Sequence, residues 1–492
     1  MTTTSPTTTA STASTGAAGA TGGGSTAGAW PMLALLLVGQ FMALLDATIV
    51  NVAMPTIGGD LHASGATLQL VVSGYTISYA VLLITGARLG DLYGRRRLYQ
   101  LGLLGFTASS LLCGIAPDTA VLVAARFVQG TAAALMVPQI MSVIQMRFTG
   151  AARVKALSAY SSVLAAGGVT GQVVGGVLVS ADLFGTGWRP VFLVNVPIGL
   201  AVAVLVPRVV PADQPGGTRR LDLWGLATLV PAVLLVVLPL VLGHEENWPA
   251  WTFASMAAGL ALVGVFVAVE RRVADRGGDP LLNLRVLRAP GIVAGLLTLS
   301  AAMITYGGFL FCLALHLQSG LGESALRAGL TFAPAALTFG LGGMYWSRLP
   351  ARVHHLLTPI GFLIAAGGYA SLALDLRGGT DGGTRTYVVM LVTGVGYGIA
   401  FSPLLQHALV KVPMAEAADA SGLLTTTLQL SQVIGIAAFG TLYFTLVKHP
   451  AAHPSAHAFT TTMAWLAALM LIGLMGAATL ARTVIRARNP AS

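Results

Sequence analysis

The sequence predicts an all-α membrane protein, and three observations predict it. Of the 492 residues, 55% are hydrophobic and only 9% are charged, against about 25% charged in an average soluble domain. The apolar residues come in runs of about 20, the length that crosses a ~30 Å hydrocarbon core as a helix. These runs do not alternate apolar and polar positions as barrel strands would.

Residues 1–29 are almost wholly Thr, Ser, Ala and Gly. With neither basic residues nor an apolar core, they read as a disordered cytoplasmic tail rather than a signal peptide. Fourteen apolar runs of spanning length follow, near 31–54, 68–89, 98–116, 120–142, 157–180, 191–210, 222–243, 251–270, 291–315, 328–347, 356–374, 386–408, 422–446 and 460–482.

The basic residues set the orientation. With the N-terminus inside, the inner loops and tail hold Arg95, Arg96, Arg97, Arg147, Arg153, Lys155, Arg208, Arg219, Arg220, Arg271, Arg272, Arg276, Arg285, Arg288, Arg348, Arg352, Lys411, Arg482, Arg486 and Arg488. That is 20 of the 27 Lys and Arg, against five outside: Arg189, Arg327, Arg377, Arg385 and Lys448. The bias agrees with an even span count and with both termini in the cytoplasm. The net charge of +10 therefore reports topology rather than nucleic-acid binding.

Several classes are excluded. The two cysteines, Cys113 and Cys312, both lie in apolar runs, and two lone cysteines make neither a disulfide framework nor a metal site. No Gly-x-x-x-x-Gly-Lys-Ser/Thr loop occurs, so an ion gradient is the simplest energy source. No Ser/His/Asp or metal constellation supports an enzyme.

The first run carries a bare carboxylate, Asp46. A charge at that depth costs at least ~2.5–3.5 kcal/mol on insertion scales. Asp46 must therefore face protein or a water-filled cavity, as a functional group or in a structural salt bridge. The fourth run holds Arg126, with Gln129 and Gly130 on the same face at i+3 and i+4. At 1.5 Å per residue, Asp46 and Arg126 both lie roughly 10 Å below the outer boundary. Two opposite charges at one depth suggest a pair or a relay; an ion pair that only joins helices is the alternative.

After the second run comes Ala87-Arg88-Leu89-Gly90-Asp91-Leu92-Tyr93-Gly94-Arg95-Arg96-Arg97-Leu98, a tight charged turn in which Gly94 permits a backbone shape that a β-carbon would hinder. Read alone, its arginines are an inner-surface anchor. The fifth run carries Gly167, Gly171 and Gly175 on one face, with Gly168 and Gly176 beside them. Such a stripe lets another helix approach closely and permits a bend.

Together these stretches carry a resemblance. Leu45-Asp46-x-Thr48-Ile49-Val50-Asn51-Val52-Ala53-x-Pro55, residues 87–98, Arg126 to Gly130 and residues 167–176 resemble motifs of the fourteen-span drug:proton antiporters of the major facilitator superfamily, the multidrug exporter type. Trp188-Arg189 followed by Phe192-x-x-Asn195-x-Pro197-x-Gly199 is similar to the start of that family's sixth span. The chain departs from the motifs at Ala87, Leu92 and Gln172, where the family usually has Gly, a base and Pro.

The resemblance implies a major facilitator fold of two six-helix bundles plus two extra central helices. The divisions would be 30–210 for the first bundle, 211–290 for the extra pair and a basic linker, and 291–492 for the second bundle. It implies export of small lipophilic compounds from the cytoplasm across the plasma membrane, driven by protons, by a monomer with no cofactor. Asp46 and Arg126 would couple to protons. Asn51, Gln129, Gln172, Tyr306, Gln318 and Gln429 would line the substrate cavity. Gly90, Asp91, Gly94, Arg95 and Arg96 would form a conformational gate, and Gly167, Gly171, Gly175 and Gly176 would bend the fifth helix. Asp91 would meet the N-terminus of the helix near Ser421-Gly422 while the cavity faces outward. Two alternatives stay open: a dedicated exporter of one endogenous metabolite, and a non-transporting scaffold or receptor.

Overall fold

The computed structural model describes residues 28–212, 222–243, 247–278, 280–282, 284–380, 382–409, 412 and 417–488. Most of the expected tail, part of the loop at 244–246, and Arg219, Arg220 and Lys411 lie outside the described residues. Those residues form fifteen α-helices and no strand. They are α1 (Ala29–Asp60), α2 (Gly65–Tyr93), α3 (Arg95–Gly114), α4 (Thr119–Arg147), α5 (Gly150–Ala181), α6 (Pro190–Leu193), α7 (Asn195–Val209), α8 (Leu223–Leu242), α9 (Ala250–Asp275), α10 (Ile292–Leu315), α11 (Ala325–Tyr345), α12 (His354–Leu376), α13 (Gly383–Leu409), α14 (Ala417–Val447) and α15 (Pro454–Arg488).

Each apolar run of the sequence lies in this set. Eleven helical segments are long and apolar enough to cross a membrane. Among the described residues α3, α5 and α11 do not reach that measure. The first opens on three arginines, and α11 is rich in glycine and alanine, which trade hydropathy for close packing. One expected span is broken. The run at 191–210 forms α6 and α7, which part at Val194. Pro197 has no N–H to offer the Leu193 carbonyl, so the ladder is interrupted there.

Local chemistry sets several ends. Ser64, Asp118, Asp222 and Ser324 cap α2, α4, α8 and α11 by accepting from Thr67, Val121, Gly225 and Arg327 backbone N–H groups. Gly94 divides α2 from α3 at φ +95°, where a side chain would be strained.

Helices pack through small residues. A β-carbon on Gly171 or Gly175 would stand 2.7 or 2.8 Å from the Leu45 or Ile49 carbonyl oxygen, so α5 lies directly on α1. Gly176 meets the Ala325 carbonyl of α11 at 2.6 Å on the same measure. The glycine face of α5 is thus shared between two helices, while α5 itself runs unbroken from Gly150 to Ala181.

The first half of the chain (α1–α7) and the last (α10–α15) meet at the end that carries the α1–α2 turn. There Gly65 packs on the Phe444 ring and Gln69 beside Gly440, and the Leu326 N–H donates to Ser180 Oγ at 2.9 Å. The pair α8–α9 packs against α2 and α14, with Val233, Val237 and Phe266 in a core shared with Ile77, Val81, Val433 and Ala437.

Candidate functional site: a buried ion pair in the first bundle

Asp46, Arg126 and Gln129 are fully buried. Asp46 comes from the middle of α1, and the other two lie one turn apart on α4. Arg126 Nη1 donates to Asp46 Oδ2. Gln129 Nε2 donates to Asp46 Oδ1 at 2.8 Å, and Asn195 Nδ2, at the start of α7, donates to the same oxygen at 3.0 Å. The Gln129 carbonyl in turn accepts from Arg126 Nη1 at 2.6 Å. Arg126 Nε donates to the Val71 carbonyl of α2 at 2.8 Å. Ser110 of α3 receives a second bond from Gln129 Nε2 at 2.8 Å.

Aromatic faces complete the enclosure. The Arg126 guanidinium sits 4.6 Å from the Tyr75 ring centroid and 5.7 Å from that of Phe192. Cation–π contacts of this kind strengthen when desolvated. Tyr75 is fixed by its own bond to the Ala43 carbonyl at 3.0 Å. Burying two ions costs several kcal/mol each even after relaxation, and attraction offsets this only where further hydrogen bonds satisfy them. Here Asp46 has three donors. Arg126 Nη2 and Asn195 Oδ1 have no partner among the described residues. The site therefore keeps one unmatched donor atom and one unmatched acceptor atom.

The other expected site residues are dispersed. Gln129, expected at a substrate cavity, is instead buried in the ion-pair network, because Asp46 needs its amide. Asn51 and Gln172 are buried, and both side-chain atoms of Gln172 lack partners among the described residues. Gln318 lines a cleft of about 500 Å³ at the end where the halves meet, with Pro55, Thr56, Val179, Ser180, Glu323, Ser324 and Ala325. Tyr306 is half-buried, with ring centroids of Tyr397 and Phe339 at 5.5 and 6.1 Å. Gln429 is half-buried on α14.

At the expected gate, Asp91 pairs with Arg95 one turn on. Arg96 Nη1 donates to the Val210 carbonyl at 3.2 Å. Gly90 leaves room for the Gln139 amide, whose Nε2 donates to the Gly86 carbonyl at 2.8 Å. The helix that Asp91 was expected to meet, near Ser421-Gly422, belongs to α14, which starts at Ala417. Residues 413–416 ahead of it lie outside the described set.

Sequence reasoning missed Asn195 as a partner of Asp46 and Ser110 as a partner of Gln129. The available signal was a polar side chain in each apolar run. A second network also went unread. Tyr397 of α13 lies between Thr305 of α10 (2.7 Å) and Tyr369 of α12 (2.6 Å), and Thr305 also meets the Met470 sulfur of α15. Counting α6 and α7 as one, both networks join side chains of the first, third, fourth and sixth helices of their half, and the first network also reaches Val71 and Tyr75 of α2. One is ionic and the other neutral.

Two packed halves of all-helical, apolar architecture with, among the described residues, one fully buried ion pair define a membrane transporter of the two-bundle class, not an enzyme. The chain belongs to the Major Facilitator Superfamily, whose family description matches residues 36–436. It is 40% identical over 424 residues to the "Probable actinorhodin transporter" of Streptomyces coelicolor, covering 86% of this chain and 73% of that protein. It is 31% identical to the "Puromycin resistance protein pur8" of Streptomyces alboniger, covering 84% and 81%. It is 30% identical to the "Multidrug efflux pump LfrA" of Mycolicibacterium smegmatis, covering 84% and 81%. Among solved structures, an inward-facing bacterial homologue of the human lysosomal transporter Spinster superposes with a TM-score of 0.68 at 17% identity, covering 94% of this chain and 99% of that one. That likeness shows the fold.

Proposed function

We propose that this chain is a proton-coupled antiporter that exports small lipophilic compounds, drugs or antibiotics, from the cytoplasm across the plasma membrane. The observation that carries the proposal is the fully buried Asp46–Arg126 pair, completed by Gln129 and Asn195. An intramembrane ion pair is expensive to keep and marks ion pathways by default. Burial and the guanidinium act on Asp46 in opposite senses. A change of solvent access or of the distance to Arg126 would then bind or release a proton.

In this reading the chain makes fourteen crossings as a monomer, with α6 and α7 counting as one and both termini cytoplasmic. The arginine asymmetry supports that orientation. The bundles are 30–210 and 291–492, and 211–290 supplies the extra pair and linker. The end where the halves meet is then the outer one, so the conformation is closed to the outside. Asn51, Gln172, Tyr306, Gln318 and Gln429 remain candidates for the substrate path, and Gly90, Asp91, Gly94, Arg95 and Arg96 for the inner gate. The α5 glycines would bend during rocking of the bundles.

A second reading is favoured by one observation. Two relatives are described as a probable actinorhodin transporter and a cephamycin export protein, which supports a dedicated exporter of one endogenous secondary metabolite. The experiment for both is uptake into inside-out vesicles with an imposed proton gradient. Uptake of many unrelated lipophilic compounds supports the broad antiporter, and uptake of one compound class supports the dedicated exporter. Uptake indifferent to collapse of the gradient overturns proton coupling.

A further inference from the structure

Asp222, Glu270 and Arg88 lie outside the ion-pair site, and each is more than nine-tenths buried. Asp222 caps α8, Glu270 lies in the last turns of α9, and Arg88 belongs to α2. All three converge on three consecutive linker residues. Arg88 donates to the Pro280 carbonyl. The Leu281 N–H donates to Asp222 Oδ2 at 3.3 Å, and the Leu282 N–H donates to Glu270 Oε2 at 2.6 Å. Three ionisable side chains from three helices thus hold the backbone of the segment that joins the two halves.

The two carboxyl groups also converge on one glycine. Both press against the α-carbon of Gly225, where a β-carbon would collide with Glu270 Oε1 and Asp222 Oδ2. Two carboxyl groups this close can share a hydrogen bond. Carboxylates only accept, so such a bond requires one proton between them. The donor inventory assigns it. Asp222 accepts from Gly225 N–H through Oδ1 and from Leu281 N–H through Oδ2. Glu270 accepts through Oε2 only, and its Oε1 has no donor among the described residues. A proton shared by the two acids would therefore sit on Glu270 Oε1.

The surroundings complete the charge balance. Among the described residues, the charged groups facing Glu270 are Asp222 at the start of α8 and Arg88 of α2. The packed residues of α14 (Leu423, Leu430 and Val433) and of the linker (Leu281 and Leu282) are apolar. With one proton between the two acids, Asp222, Glu270 and Arg88 together carry no net charge.

We propose that Asp222 and Glu270 form a second proton-binding site, and that its proton latches the linker backbone at 280–282 to α2, α8 and α9. The extra helix pair thereby acts as a proton-dependent clasp on the hinge between the bundles. In the clasped state the pair holds one proton. In an opened, hydrated state both carboxyls ionise and hold none at neutral pH. The clasped state binds more protons, so raising the pH favours opening.

The test is amide hydrogen exchange of Leu281 and Leu282 in the full-length protein in nanodiscs, corrected for intrinsic rates, at pH 6 and pH 9. Wild type is expected to lose at least about tenfold protection at the higher pH, which corresponds to about 1.4 kcal/mol. Glu270→Gln donates to Asp222 and accepts from Leu282 without titrating, so its protection should be the same at both pH values. Glu270→Ala should exchange fast at both, and the Gln variant keeps the test valid if the Ala variant does not fold. Wild-type protection that does not change with pH overturns the proposal. So does a Glu270→Gln variant with the wild-type pH dependence.

Discussion

Gln129 holds Asp46 with the same amide that accepts from Arg126. Its Nε2 lies 2.8 Å from Asp46 Oδ1, and its Oε1 lies 2.6 Å from Arg126 Nη1. One neutral side chain thus closes the ion pair from both sides, and its i+3 spacing on α4 aims it along the Arg126 face.

Gln129→Ala should leave a buried acceptor and a buried donor short of a partner. Each such group costs about 1–3 kcal/mol. Thermal unfolding in detergent should show a clear loss of stability, and substrate-driven proton release should fall with it. Unchanged values for both would remove Gln129 from the site.

The neutral network of the second half should behave differently. Tyr397→Phe deletes the hydroxyl that joins Thr305, Tyr369 and the Ala302 carbonyl. The expected outcome is a stability loss of about 1–3 kcal/mol, with the proton-to-substrate ratio unchanged, because that network holds no charge. Loss of coupling at normal stability would contradict the assignment of proton coupling to the Asp46–Arg126 pair.

The glycine face of α5 gives a steric prediction. Gly171 and Gly175 stand against the Leu45 and Ile49 carbonyls. Gly175→Leu should push α5 off α1 and shift the Asp46 segment, so that the protein unfolds at markedly lower temperature and transport is lost. Normal unfolding with normal transport would show that the close approach is dispensable.

Orientation is tested at Asn247, which is exposed beyond α8. Cys113 and Cys312 are buried. Asn247→Cys should therefore react with an impermeant thiol reagent in intact cells. Reaction only in inside-out vesicles would reverse the topology.

How much the sequence makes legible depends on the residue. Asp46 and Arg126 stand out because a charge in an apolar run needs a reason, and equal depth pairs them. Asn195 and Ser110 do not, because a neutral polar side chain in such a run does not reveal which neighbour it faces. Gln129 reads equally well as a cavity residue or as a partner of Asp46, and only the packing of α1 on α4 decides. The break at Val194 is written in Pro197, yet the continuous apolar run conceals it. Asp222 and Glu270 lie at run ends, where charges are common, so their burial is visible only once the linker folds back on them.

The most direct measurement is substrate-induced proton release from proteoliposomes reconstituted with Asp46→Asn. Asparagine keeps the size of the side chain and an oxygen for Gln129 and Asn195, but it cannot carry the proton. The account predicts protein that folds and inserts normally yet releases no protons on addition of substrate, with Asp46→Glu partly active. Proton release at the wild-type rate from Asp46→Asn would contradict it and make the Asp46–Arg126 pair a structural tie.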